Sequence, residues 1–280
     1  MLSVEMHRLR FSLVATEPID LPSYKGSALH GGFGHALETI SPTWFTYFFQ
    51  PQTQAGNAIP KPFVLLPPLD QQSNYQAGET FHCELTLFAS AIQHVAIVQA
   101  AIEYLGNQMG LGYNRGKFKI VDIAESTFSE ISTHTVHNPQ TLTLQLITRL
   151  RLKSDNQLQK QTPPFSLLIT RLLGRLKTLQ QSYSDQSIDE QAYRQLLQQA
   201  NEIQTLDSNA VWDDWCRYSG RQKEWMKFGG LLGELHFQGD LQPFIPYLQM
   251  GEWCHIGGKS SFGLGKFLIK IGDSHAHTSS

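Results

Sequence analysis

The chain has 280 residues, 41% of them hydrophobic and 16% charged, with a formal net charge of −2. This composition excludes disorder of the whole chain, suits one large domain or two of about 140 residues, and lacks the basic total that advertises most nucleic-acid binders. Its apolar runs, such as Phe63 to Pro68 and Ile92 to Ile102, are too short or too interrupted for a membrane span of roughly 20 residues, and no apolar core of secretory type follows Met1 to Arg10, so a cytoplasmic protein without membrane contact is expected.

In chain order, Leu9, Phe11 and Leu13 alternate with Arg8, Arg10 and Ser12, the period-two pattern of a half-buried strand. Tyr24 to Ile40 carries helical spacing through Leu29, Phe33 and Leu37. Pro51 to Gly78, dense in Pro, Gln, Gly and Asn, reads as an irregular insertion around a short strand at Phe63 to Leu66. A strand at Glu84 to Phe88, a helix at Val95 to Leu105, the glycines Gly106, Gly110 and Gly112, and a strand at Gly116 to Ile120 follow.

The second half repeats the order. Leu142, Leu144, Leu146, Leu150 and Leu152 alternate with a face that ends in Arg149, Arg151 and Lys153. Phe165 to Leu179 is helical, with Arg171 and Arg175 four apart on one face. Ser182 to Asn209 is Gln-rich and polar, and Ser187-Ile-Asp-Glu190 has the spacing of a capping box opening a surface helix. A strand at Glu234 to Phe237, a helix at Phe244 to Met250, Gly257-Gly258 and a strand through Gly265 to Ile269 close the chain.

Two segments match in order and spacing: Glu84 precedes Gly116 by 32 positions and Glu234 precedes Gly265 by 31. The expected fold is therefore α+β, two tandem ferredoxin-like (RRM-like, βαββαβ) domains with Gly-rich loops between the second helix and the last strand. We place them at 1–138, with the first-helix histidines, and at 139–280, with the Gly-rich loop 257–265.

The glycine loops follow a helix and enter a strand. Nucleotide-binding glycine motifs do the opposite, following a strand and opening a helix whose N-terminus meets the phosphates. Gly258-Lys259-Ser260 imitates the end of a phosphate-binding loop, but Trp253 stands where that motif requires glycine. A nucleotide cofactor is rejected, and no cofactor is expected. Cys83, Cys216 and Cys254 are scattered, which supports neither a disulfide framework nor a cysteine zinc site; no metal is expected, and the thiols read as reduced core residues.

The run Arg217-Tyr-Ser-Gly-Arg-Gln222, then Gly229-Gly230-Leu-Leu-Gly233-Glu234, Pro243-Phe244, Gly251-Glu-Trp-Cys-His-Ile-Gly257 and Phe262-Gly-Leu-Gly-Lys-Phe267 closely resembles the CRISPR-associated precursor-RNA-processing endoribonucleases of the RAMP superfamily. Leu21-Pro-Ser-Tyr-Lys-Gly26, Gly32-Phe-Gly-His-Ala-Leu37 and Gly78-Glu-Thr-Phe81 extend the resemblance to the N-terminal half. It implies tandem ferredoxin-like domains that bind a CRISPR repeat and cut it once without metal, with Gly257, Gly258, Lys259, Ser260, Ser261, Gly263 and Gly265 as the loop associated with RNA contact and domain packing. The chain departs from the family at Ser41-Pro42-Thr43-Trp44, where relatives often carry cysteines, and at His30, where many carry arginine.

Metal-free RNA cleavage needs a base for the 2′-OH, charge stabilisation at phosphorus and an acid for the 5′-oxygen, and histidine suits either proton transfer. His35 matches the family pattern and ranks first, ahead of His30; five residues apart, they lie about 140° around a helix, so one of them meets the phosphate. His255, before the C-terminal glycine loop, is third, while Tyr24 and Lys25 could orient or stabilise charge. Candidate RNA-binding cations are Arg149, Arg151, Lys153, Arg171, Arg175, Arg217 and Arg221, the last two within an aromatic and cationic run that contains Trp212, Trp215 and Trp225. Trp212 is expected in the core. The cations from Arg149 to Lys177, Arg217 to Lys227 and Lys259 to Lys270 are expected to polarise the surface.

The leading expectation is a metal-independent endoribonuclease acting on CRISPR repeat RNA, leaving 2′,3′-cyclic phosphate and 5′-OH ends. The alternative is a non-catalytic RNA-binding RAMP subunit of an effector complex. Expected partners are the repeat RNA, other CRISPR effector subunits or a fused adaptation module, with the chain a monomer or homodimer.

Overall fold

Alternation at the N-terminus puts Leu9, Phe11 and Leu13 on one face of a strand, and all three are fully buried. The computed structural model describes residues 2–128, 138–219 and 224–272, with the backbone alone at 216–219 and 224–227. The first half runs β1 (Met6–Ala15), β2 (Ile19–Asp20), α1 (Gly26–Ile40), α2 (Pro42–Phe49), β3 (Phe63–Leu66), β4 (Asn74–Tyr75), β5 (Thr80–Phe88), α3 (Val95–Tyr104) and β6 (Phe118–Thr127). Its sheet has the order β3-β5-β1-β6, the second-third-first-fourth order of a ferredoxin-like unit. The helices α1 and α3 lie on one face, where Leu29, Phe33 and Val98 share a core with the apolar residues of β1.

The second half runs β7 (Thr141–Leu150), β8 (Lys153–Ser154), β9 (Gln157–Leu158), α4 (Phe165–Tyr183), α5 (Glu190–Gln199), β10 (Gln204–Thr205), β11 (Val211–Asp213), β12 (Cys216–Ser219), β13 (Glu224–Lys227), β14 (Gly230–Gln238), α6 (Ile245–Cys254) and β15 (Phe267–Gly272). The order β10-β14-β7-β15, with β11 also on β14, repeats the first sheet. Leu142, Leu144 and Leu146 pack there against Leu168, Leu172 and Leu248.

Several local expectations change. Ser41 is extended (φ −162°) and Pro42 starts a new helix, so the chain breaks after Ile40 and adds the aromatic helix α2, absent from the sequence reading. Proline at a first helical position loses no intrahelical hydrogen bond, which makes it a natural restart. The polar segment after α4 does form a surface helix, but Asp189 caps it, accepting from the amides of Gln191 and Ala192; Ser187 does not. Trp212 is half-buried, with its indole N–H donating to Asp214 at 2.8 Å.

The edge strand β3 is buried on both faces. Phe63 and Leu65 enter the first core, whereas Val64 joins the second. An edge strand of four apolar residues would be an aggregation hazard if open. Here the other half of the chain covers it, and Leu2, Val4, Met6 and Phe88 pass into the second core with Val64.

Candidate functional site at the joint of the two halves

The C-terminal glycine loop sits between α6 and β15 and reaches across to the first half. Gly263 (φ +93°) lies so close to β3 that an added Cβ would stand 2.5 Å from Pro67 Cδ and 2.8 Å from the Leu65 carbonyl oxygen. Next to it, Phe262 stacks on His30 with ring centroids 3.7 Å apart, and its carbonyl accepts from Tyr24 Oη at 2.5 Å. Thr148 Oγ1 donates to the Gly263 carbonyl at 2.7 Å and accepts from the Lys266 amide at 2.9 Å, tying the loop to β7. Ser260, Gly263 and Gly265 are thus interior to the joint, out of reach of a polynucleotide, while Gly258 is exposed and Gly257, Lys259 and Ser261 are partly so.

The same joint decides which histidine faces solvent. His30 is 9% exposed and covered by Phe262, Phe49 and Phe63. His35, on the far side of α1, is 72% exposed, with Nδ1 3.6 Å from Glu38. His255 is 2% exposed; burial, reinforced by the charges of Lys266, Arg175 and Arg8, holds its imidazole well below the ordinary value and therefore neutral. Burial removes both His30 and His255 from contact with a ligand.

Tyr24 and Lys25 are both largely enclosed, although Tyr24 still lines the cleft beside His35. Burial pushes the Tyr24 phenol upward, against the opposing charge of Arg149, and its hydroxyl is engaged by Phe262. Lys25 is 3% exposed, donates to Asp70 Oδ1 and the Asp70 carbonyl, both at 2.5 Å, and so anchors the loop after β3 to the start of α1. Tyr75 donates to both oxygens of the same carboxylate at 2.9 and 3.0 Å. Desolvation pushes Asp70 upward, but the hydrogen bonds from Lys25 and Tyr75 and the Lys25 charge outweigh it and leave the carboxyl below its usual range.

Beside His35 opens a cleft of about 850 Å³. It is lined by the first part of α1, with Ser27 and Ala28, by the π turn Leu105–Met109 and the following turn through Tyr113 and Arg115, and by Trp215 of the second half. Gly32 permits this packing, because a Cβ there would stand 2.8 Å from Leu105 Cδ1. Trp215 is held against Tyr24 (4.8 Å between centroids) and lies 5.7 Å from the Arg149 guanidinium.

Arg149 itself pairs with Asp213 at 2.5 Å. Arg151 donates to the Gly229 carbonyl and accepts from the Gly258 amide through its own carbonyl at 2.9 Å. Lys153 is exposed at the β8–β9 hairpin, and exposed Arg171 donates to the Lys153 carbonyl at 2.9 Å. Arg175 is half-buried, donating to the Cys254 carbonyl at 3.0 Å with its guanidinium 5.9 Å from the Phe88 ring of the first half. The Arg217 side chain and all of Arg221 lie outside the described residues. Among the described residues, no group of three or more His, Cys, Asp or Glu is placed to hold a metal ion.

The sequence reading missed Gln108, Tyr113 and Arg115 as cleft residues. The signal was present: an aromatic and a cation stand between Gly112 and Gly116 in a loop too tight to bury them.

Fold and site together define a tandem ferredoxin-like protein with an open cleft at the seam of its halves. Residues 3–149, more than half the chain, match the family model AF_1859_N, N-terminal domain, and residues 144–267 match that of the CRISPR-associated endoribonuclease Cas6. Among solved structures, a Cas6 product complex is 16% identical with a TM-score of 0.67, covering 95% of this chain and 100% of that chain. A partial Cas6-RT-Cas1–Cas2 complex is 14% identical with a TM-score of 0.63, covering 99% of this chain but 48% of that longer one. A RAMP protein binding different RNA substrates is 12% identical with a TM-score of 0.50, covering 95% of this chain and 100% of that chain. No curated protein matches the chain. The chain belongs to the family of the AF_1859_N model, its second half matches the Cas6 endoribonuclease model, and its fold is the one seen in solved Cas6 and RAMP structures.

Proposed function

We propose that the chain cuts CRISPR repeat RNA within its precursor transcript, without metal, in the cleft between its halves. A base takes the proton of the 2′-OH, the 2′-oxygen bonds to phosphorus, the P–O5′ bond breaks and an acid protonates the 5′-oxygen, leaving 2′,3′-cyclic phosphate and 5′-OH ends. His35 performs one of the two proton transfers, with Glu38 beside Nδ1 orienting the ring so that Nε2 meets substrate. The observation that carries this reading is that, of the three candidate histidines, His35 opens into the cleft while His30 and His255 are enclosed. The halves divide at residues 138 and 139, and exposed Lys153 and Arg171 extend the RNA path from the cleft across the second half. Fusion to, or assembly with, an adaptation module fits the likeness to the longer Cas6-RT-Cas1 chain.

The test is single-turnover cleavage of repeat RNA in EDTA, with and without a 2′-deoxy nucleotide at the cut site. Cleavage should proceed in EDTA, stop with the deoxy substitution and fall roughly 10²- to 10⁴-fold in His35→Ala, the span expected of one proton-transfer group. Dependence on metal, or cutting of the deoxy substrate, refutes the mechanism.

A further inference from the structure

The turn after α3 is built to hold still. The Gly110 amide closes the π turn on the Leu105 carbonyl at 2.7 Å, and the Leu111 amide bonds the Gly116 carbonyl at 2.9 Å across its neck. The turn is strapped to the segment before α1: the Tyr113 amide donates to the Asp20 carbonyl at 2.8 Å, Asn114 Oδ1 accepts from the Asp20 amide at 2.9 Å, and Asn114 Nδ2 donates to the Pro18 carbonyl at 2.7 Å. Gly112 and Gly116 pass so close to this segment that a Cβ would stand 2.2 Å from the Asp20 oxygen and 2.0 Å from the Pro18 oxygen.

On this fixed backbone Tyr113 is 75% exposed, and the exposed Arg115 (φ +53°) has no ion-pair or side-chain hydrogen-bond partner among the described residues. Both line the cleft that His35 and Trp215 also line. An aromatic ring on a rigid backbone offers a stacking face at little cost in lost motion, and an unpaired guanidinium beside it offers bidentate contact to a phosphate.

We propose that this turn positions the substrate: Tyr113 stacks on an unpaired nucleobase next to the scissile phosphate, and Arg115 binds a phosphate flanking that base. The inference rests on the RNA-cleavage reading above and sharpens it. The RNA entering the cleft is single-stranded at the cut junction, because a base in a helical stack cannot present its face to Tyr113.

The test uses the full chain and repeat RNAs that carry 2-aminopurine at successive positions around the cut, with a 2′-deoxy nucleotide to prevent turnover, read by fluorescence and anisotropy. A fall in fluorescence on adding protein is expected at one position beside the cut, and adding protein should cause no such fall when a complementary strand already pairs that nucleotide. Tyr113→Ala should relieve the quenching and weaken binding about 5- to 150-fold, the range for losing one stacked base, whereas Tyr113→Phe and Tyr113→Trp should restore both. Arg115→Ala should leave the quenched position unchanged and flatten the dependence of log affinity on log salt by about 0.7, the value for one single-strand phosphate contact. If Tyr113→Ala binds and quenches like the wild type while the wild type cuts repeat RNA, the positioning role is refuted and the cleavage reading stands. If the wild type neither binds nor cuts repeat RNA, the cleavage reading falls and the positioning role falls with it.

Discussion

Replacing Gly263 by alanine separates the two roles open to the C-terminal glycine loop, joining the halves and touching RNA. At φ +93° an alanine carries left-handed backbone strain of roughly 1–2 kcal/mol. Its Cβ would also stand 2.5 Å from Pro67 and 2.8 Å from a backbone oxygen of β3, neither of them the far end of a flexible side chain. Relief of that overlap requires the loop and β3 to move apart, an overpacking cost of about 1–3 kcal/mol. The sum, about 2–5 kcal/mol, corresponds to a melting temperature lowered by roughly 4–10 °C for a chain of this size. Gly258 is the control, since a Cβ there meets nothing nearer than 3.8 Å and its backbone is not left-handed. Calorimetry of the two variants beside the wild type is the assay, with Gly258→Ala expected within about 0.5 kcal/mol of the parent. Gly263→Ala melting like the wild type would refute the claim that this loop is the mechanical joint. Because the cleft takes His35 from one half and Trp215 from the other, the Gly263 variant should also lose cleavage rate well below its melting point.

Two further outcomes concern buried charge. Burial and the nearby Arg8 lower the Lys266 ammonium to about 8, against the raising effect of Glu84, Glu252 and Cys254. The unfolded chain then binds more protons than the folded one between about pH 8 and the ordinary lysine value near 10.4, so this group makes stability rise with pH across that window. Urea denaturation at stepped pH should show the rise in the wild type and a flatter profile in Lys266→Met. Asp70, held below its ordinary value, contributes stability that is present above about pH 4 and lost as pH falls through its folded value. Asp70→Asn should remove that part of the acid dependence and lower stability at neutral pH, because Lys25 stays buried without its counter-charge; an unchanged acid limb in circular dichroism would refute the role given to this pair.

The duplication was legible in the sequence because it rests on local rules. Alternation in Leu9 to Leu13 and Leu142 to Leu146 marks strands, helical spacing marks α1 and α4, and the Glu-to-Gly spacings of 32 and 31 repeat because two similar units carry the same strand, helix and glycine turn. The short strand at Phe63 to Leu66 was also legible, although its burial on both faces was not, since the covering surface comes from residues about 80 to 200 positions away. Asp189 displaced Ser187 as helix cap for a local reason that spacing alone leaves open: either residue type can accept from the first free amides, and backbone geometry selects one.

The site divides along the same line. Helical periodicity alone determined that His30 and His35 point about 140° apart and cannot share a target. Only the tertiary structure decided which one is enclosed, because the cover over His30 is built by Phe49, Phe63 and Phe262, the last more than 200 positions later and stacked on its ring. The net charge of −2 determined nothing about RNA binding, since Arg149 and Arg175 are turned to Asp213 and the Cys254 carbonyl while Arg115, Lys153 and Arg171 stand at the surface. A sequence fixes the faces of its own elements through backbone geometry; which face becomes joint and which becomes cleft depends on how two halves pack, a property that no local window contains.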